Sequence, residues 1–165
     1  MKVPENDQRF SASDVREVAD LSYRQLDDWD EKGVLPSSRE GDSGWRKFNL
    51  REIFVLLVCA EMRKRFGVPI ESLKFIQGCM LKNGADHFRA AVEMTRLLHT
   101  PVFILTDFET TFAMDQPFDI ADSFIYGLGS QDDEAAFVVL KVNPLVNRVL
   151  DLLKDPIRIE DNTES

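Results

Sequence analysis

Long apolar runs are missing from this sequence. No stretch approaches the roughly 18 to 20 uncharged residues that a membrane-spanning helix needs, and the opening Met1-Lys2-Val3-Pro4-Glu5-Asn6-Asp7 lacks the apolar centre of a signal peptide. A soluble, cytoplasmic protein with no membrane partner is expected. Cysteine is scarce: Cys59 and Cys79 lie far apart, with no CxxC, which argues against a disulfide framework and against a zinc finger. Both are expected to be buried thiols. The two histidines, His87 and His99, have no Cys, Asp or His at metal-site or triad spacing. No Gly-rich phosphate loop occurs, and Asp132-Asp133-Glu134 are chain neighbours, which does not hold two carboxylates at the fixed separation of a hydrolytic pair. A non-enzymatic protein without metal or cofactor is the expectation. Glycine and proline, at 8 and 7 residues, are too few for a collagen-like or wholly disordered chain. With 44% apolar residues in 165, there is material for one or two small packed domains.

Basic charge is also in deficit: the net charge is −9. An acidic total alone disfavours a phosphate-rich partner, but the distribution is uneven. Residues 1–84 hold 14 Lys and Arg against 14 Asp and Glu, whereas residues 85–165 hold 6 against 15. Between residues 39 and 65, Arg39, Arg46, Lys47, Arg51, Arg63, Lys64 and Arg65 outnumber Glu40, Asp42, Glu52 and Glu61. A locally anion-facing patch on the amino-terminal half follows from that excess.

Apolar spacing then gives the elements. Residues 1–9 are a patternless arm. Ser13 is placed as the N-cap of a short helix carrying Val15, Val18 and Ala19 and ending near Leu21. Ser22 caps a second helix with Leu26 and Trp29 on one face, stopped at Gly33. The polar stretch 37–44 has turn composition and leads into a strand at Trp45-Arg46-Lys47-Phe48, a small β wing. Asn49 with Glu52 opens a third helix whose broad apolar face runs to Gly67, and Pro69 opens a fourth with Ile70, Leu73 and Ile76 inward. A fifth helix, 85–99, either connects two halves or pairs with its copy in a dimer. Beyond it, strands at 102–105 and 110–113, a helix from Asp115 to Leu128, a central strand at 135–142 and a last helix capped by Asn143-Pro144 make a ββαβα order before an acidic tail.

Two short helices with a tight joint, a basic wing and two further helices form an arrangement that sets the start of the second helix into a major groove and the wing against phosphates. The residues from Phe10 to Gln77 resemble the DNA-binding domain of MerR-type transcriptional regulators. The resemblance is carried by Leu21-Ser22-Tyr23-Arg24-Gln25-Leu26-Asp27-Asp28-Trp29-Asp30, Lys32-Gly33-Val34-Leu35-Pro36-Ser37, Gly44-Trp45-Arg46-Lys47-Phe48 and Phe66-Gly67-Val68-Pro69-Ile70-Glu71-Ser72-Leu73, in family order and at family spacing. It covers somewhat under half of the chain. It implies a winged helix-turn-helix homodimer on a pseudo-palindromic operator in double-stranded DNA. Ser22, Tyr23, Arg24 and Gln25 then begin the recognition helix, where Arg24 suits a guanine edge and Gln25 an adenine edge. Arg46, Lys47 and Arg39 would hold phosphates, with Arg63 and Arg65 extending that track or simply complementing a helix dipole.

The sequence departs from the family at Asp27 and Asp28, where many members carry Arg and an aromatic; these carboxylates either face solvent or pair with Arg24. The long dimerisation helix with sensor cysteines of metal-responsive members is not visible. The expected fold class is α+β: an arm at 1–9, a winged helix-turn-helix domain at 10–84, a connecting or dimerisation helix at 85–99, a small acidic α+β domain at 100–155 and an acidic tail at 156–165. In that domain Phe103, Phe108, Phe112, Phe118, Phe124 and Phe137 form a core or line a pocket, and it is the place left for a small-molecule or protein effector. The rival reading is a protein-interaction module: a winged fold without DNA binding, whose acidic second helix, with Asp27, Asp28, Asp30 and Glu31, docks on a basic partner.

Overall fold

The computed structural model describes residues 10–36, 46–82, 87–106, 111–114 and 138–154. Within them the chain is a mostly helical α+β protein with two small sheets. The first helix, α1 (Ala12–Ala19), is capped by Ser11 and not by Ser13. The Ser11 side chain accepts from the Asp14 backbone N–H while the Asp14 carboxylate accepts from the Ser11 N–H at 2.8 Å, a reciprocal box that offers Ser11 two bonds. Asp20 then takes a left-handed conformation (φ 54°), tolerated by Asp better than by most residues, and turns the chain within Asp20-Leu21-Ser22. Ser22 and Gln25 form a second reciprocal box and start α2 (Tyr23–Glu31), which buries Leu26 and Trp29 as expected. At Gly33 the backbone is left-handed (φ 72°), and an added Cβ would lie 3.2 Å from Lys74 Nζ.

Residues Lys47–Phe48 form β2, shorter than the expected 45–48 strand; it pairs antiparallel with β1 (Phe10–Ser11), so that Phe10 faces Phe48 in register. Residues 37–45 lie outside the described residues. Asn49 and Glu52 make a third capping box at the head of α3 (Leu50–Phe66), which Gly67 ends in a left-handed turn (φ 66°). The expected single apolar face understates this helix: Leu50, Ile53 through Ala60 and Met62 are all buried. A helix apolar all round belongs at the centre of a fold, and α3 packs against α1, α4 (Ile70–Lys82), α5 (His87–Arg96), β5 (Val138–Lys141) and α6 (Asn143–Asp151).

The second sheet has the order β4-β3-β5, with β3 at Phe103–Thr106 and β4 at Thr111–Met114, all antiparallel. The expected central strand at 135–142 is therefore corrected. The middle position belongs to β3, while β5 is an outer strand among those described, with Val138 and Val139 half-buried and Lys141 exposed. Its β-branched residues reflect strand propensity, which edge strands share. The expected helix 115–128 falls outside the described residues.

Asn143 is also used otherwise than expected. Val142 occupies the cap position of α6 without a side-chain bond, and Pro144 fills the first turn. The Asn143 carboxamide instead accepts from the Val102 N–H at 2.7 Å and donates to the Thr100 carbonyl at 2.8 Å and to Thr95 Oγ1 at 3.0 Å. It fixes the α5-to-β3 connection against α6. One apolar cluster runs from Phe10 and Val15 through α3 to Val146, Val149 and Leu152, so described residues on both sides of the expected boundary near residue 85 share a core. Among the described residues no helix is long and apolar enough to cross a membrane, and no group of three or more His, Cys, Asp and Glu is placed to hold a metal.

Candidate nucleic-acid interface

The joint between α1 and α2 sets the site. Because Asp20 reverses the chain and Leu21 is buried, α2 begins immediately beside the last turn of α1, with Ser22, Tyr23, Arg24 and Gln25 all exposed. Tyr23 is 62% exposed. The Arg16 guanidinium of α1 lies over its ring, 3.4 Å from the centroid. Arg24 carries no hydrogen bond or ion pair among the described residues; Asp28 pairs with Lys32 at 2.7 Å and not with Arg24. Asp27 is exposed.

Gln25 is partly committed. Its Oε1 accepts from the Ser22 N–H at 2.8 Å, so the oxygen that a bidentate adenine contact requires is already in use while the amide nitrogen is not. Ser22 Oγ likewise accepts from the Gln25 N–H at 3.2 Å. Both side chains shape the start of the helix.

Most of the cations counted in the 39–65 patch are engaged inside the fold. The Arg46 guanidinium bonds to the Asp30 carboxylate and donates to the Pro36 carbonyl at 3.0 Å, with its side chain 15% and that of Asp30 26% exposed. This joins the last turn of α2 to the residue preceding β2. Arg51 donates to the Met80 and Leu81 carbonyls at the end of α4. Arg63 donates to the Val68 carbonyl at 2.8 Å and to that of Gly67 at 3.4 Å, closing α3. Lys64 pairs with Asp20 at 2.8 Å and Arg65 with Glu61 at 2.5 Å. Lys47 is half-buried in β2 with an interaction of its own, and Arg39 lies outside the described residues. Pairs as exposed as Lys64–Asp20 are worth little and exchange readily with solvent; Arg46–Asp30 is of the enclosed kind.

Glu61 gathers two cations, Arg65 and Arg148 of α6, the latter at 3.2 Å. Burial alone would raise its pKa, but the hydrogen bond and charge of Arg65, and then Arg148, hold the carboxyl below its usual range. Asp20 is lowered chiefly by its hydrogen bond to Lys64. Arg148 also donates to the Val18 carbonyl in the last turn of α1. Cys59 is fully buried, with its Sγ 3.8 Å from the Leu73 carbonyl, and desolvation pushes its thiol up to about 12. Cys79 is half-buried rather than buried as expected.

Arg16 was absent from the sequence-derived candidates. Tyr23 lies seven positions further along the chain, and their contact depends on the left-handed turn at Asp20, for which the sequence offers no strong signal.

A capped helix, a three-residue turn and a second capped helix with an exposed polar first turn define a helix-turn-helix-like region. Residues 10–77, somewhat under half of the chain, match the family model of the MerR HTH family regulatory proteins, so this amino-terminal region is similar to those regulators. No curated protein matches the chain.

Proposed function

We propose that the protein is a sequence-specific DNA-binding transcriptional regulator that binds a pseudo-palindromic operator as a homodimer. The observation that carries this reading is the first turn of α2, where Tyr23 and Arg24 stand exposed at the head of a helix fixed by its own capping box and a tight joint to α1. Arg24 reads a guanine edge, Gln25 contributes its remaining donor, and residues 46–48 lie along the phosphate backbone. Arg46 serves this segment as a positioning residue, since its guanidinium is taken up by Asp30 and Pro36. Lys47, Arg39, Arg63 and Arg65 are assigned to phosphates.

The acidic character of α2 favours the protein-docking alternative less than the bare sequence does. Asp28 is matched by Lys32 and Asp30 by Arg46, which leaves Asp27 and Glu31 as the exposed carboxylates of the helix. Selection of bound duplexes from a random pool at low salt, followed by a salt titration of the selected duplex, tests the assignment. Retention of a two-fold related sequence with affinity falling steeply in salt is the expected result. Failure to retard any duplex, together with co-purification of a basic protein, would transfer the assignment to the docking alternative.

A further inference from the structure

We infer that Arg16 is a further DNA contact, a phosphate-binding arginine braced by the ring of Tyr23. The inference rests on the DNA-binding reading and adds to it a residue from the helix that precedes the recognition helix.

Three observations meet at this side chain. Its guanidinium carbon sits over the Tyr23 ring, 3.4 Å from the centroid, closer than cation–π contacts require. Its Nε is buried without a hydrogen-bond partner. No ion pair or hydrogen bond engages its side chain among the described residues, although Asp14, Glu17 and Asp20 are all on or beside the same helix. Asp14 is held in the box with Ser11, and Asp20 is taken by Lys64.

An arginine placed in this way has already given up rotamer freedom and part of its hydration, while its terminal N–H groups keep unused donor capacity. Such a fork matches phosphate geometry, and little ordering cost remains when an anion arrives. The neighbouring groups point the same way. Tyr23 and Arg24 are exposed on the first turn of α2, whose amide end carries the positive pole of the helix. Arg16 is joined to the first turn of α2 through the Tyr23 ring, and Arg24 is the exposed cation next along that turn. Arg24, at the groove end, addresses bases; Arg16, set back on α1, addresses the strand that borders the groove.

The experiment compares wild type, Arg16→Ala, Arg16→Lys, Tyr23→Ala and the Arg16→Ala/Tyr23→Ala double variant by fluorescence anisotropy, on the selected duplex and on a random duplex, across a salt series. Arg16→Ala is expected to weaken both duplexes by a similar factor of roughly ten and to reduce the salt slope by about one. Arg16→Lys is expected to keep the slope but lose part of the affinity, because an ammonium neither stacks nor forks as guanidinium does. Tyr23→Ala removes no charge; it should weaken wild type more than it weakens Arg16→Ala, since the brace has nothing to hold once Arg16 is gone. Unchanged affinity and slope in Arg16→Ala, or strictly additive losses in the double variant, would overturn this inference while leaving the regulator reading in place. Absence of duplex binding by wild type would remove both.

Discussion

Arg46 and Asp30 offer the sharpest test, because two readings of the same arginine predict opposite signs. The guanidinium is largely enclosed and spans from the last turn of α2 to the Pro36 carbonyl. Removing one partner of a fully buried pair costs about 3 to 5 kcal/mol, and exposed pairs cost under about 1. With 15% and 26% side-chain exposure the pair sits between these limits but nearer the first, so Arg46→Ala and Asp30→Ala should each destabilise by about 2 to 3 kcal/mol. Urea denaturation followed by circular dichroism reads this as a lowered midpoint at constant m. The double variant should lose clearly less than the sum of the two, with a coupling of about 1 to 2 kcal/mol.

DNA binding supplies the decisive sign. If charge near the duplex were all that mattered, Asp30→Ala would tighten binding by deleting an anion. If Arg46 acts by fixing residues 46–48 against α2, Asp30→Ala releases that segment and weakens binding despite the more favourable charge. Tighter binding by Asp30→Ala, or single-variant costs below about 0.5 kcal/mol with no coupling, would refute the positioning role.

Three other outcomes follow from the contacts. Asn143→Ala should cost about 2 to 3 kcal/mol in urea denaturation, because three part-buried hydrogen bonds disappear and the Val102 N–H and Thr100 carbonyl lose their partner. Glu61 has a folded pKa below its ordinary 4.5, so its contribution is complete above that value and is lost as pH falls through the folded value; Glu61→Gln should flatten the acid limb of a stability profile taken from pH 6 to 3. Cys59, with its thiol raised to about 12 inside the core, should resist a thiol reagent at pH 8 in the native protein and react only with global unfolding, which mass spectrometry of the labelled peptides would show.

What was legible in the sequence is what is local. The cap at Ser22, the box Asn49–Glu52, the stops at Gly33 and Gly67 and the inward set Leu73 and Ile76 each follow from residues within one or two turns. Even the misplaced first cap was decidable locally. Acidic residues in the first turn suited Ser13, but only Ser11 has a carboxylate three positions on, at Asp14, with which to close a reciprocal box. The remaining differences are non-local. Whether a β-branched strand is central or outer depends on what pairs with its far edge, so the composition of 135–142 did not decide it. Asn143-Pro144 carries a helix-start signal, but three bonds to Thr95, Thr100 and Val102 outweigh the single bond a cap would give. The 39–65 cations are legible as charges, but a tally of charge contains no partners. Arg46 finds Asp30 sixteen residues earlier, and Arg51 finds carbonyls some thirty residues later.

The same non-local bonding ties the carboxy-terminal helix to the candidate site. α6 and α1 both lie on α3, and apolar packing alone would let one slide relative to the other, since it is non-directional. Arg148 removes that freedom. It holds the Val18 carbonyl two residues before the left-handed Asp20 and, with its other nitrogen, the Glu61 carboxylate that also receives Arg65. Asp20 is itself tied to Lys64, one turn along α3 from Glu61. The joint that sets the angle of α2 is therefore held mainly by α6 through the Arg148 bond at Val18, with the exposed Lys64–Asp20 pair from α3 adding little. A displacement of α6 must either break a charge-assisted bond at Val18 or carry the last turn of α1, with Arg16, along with it.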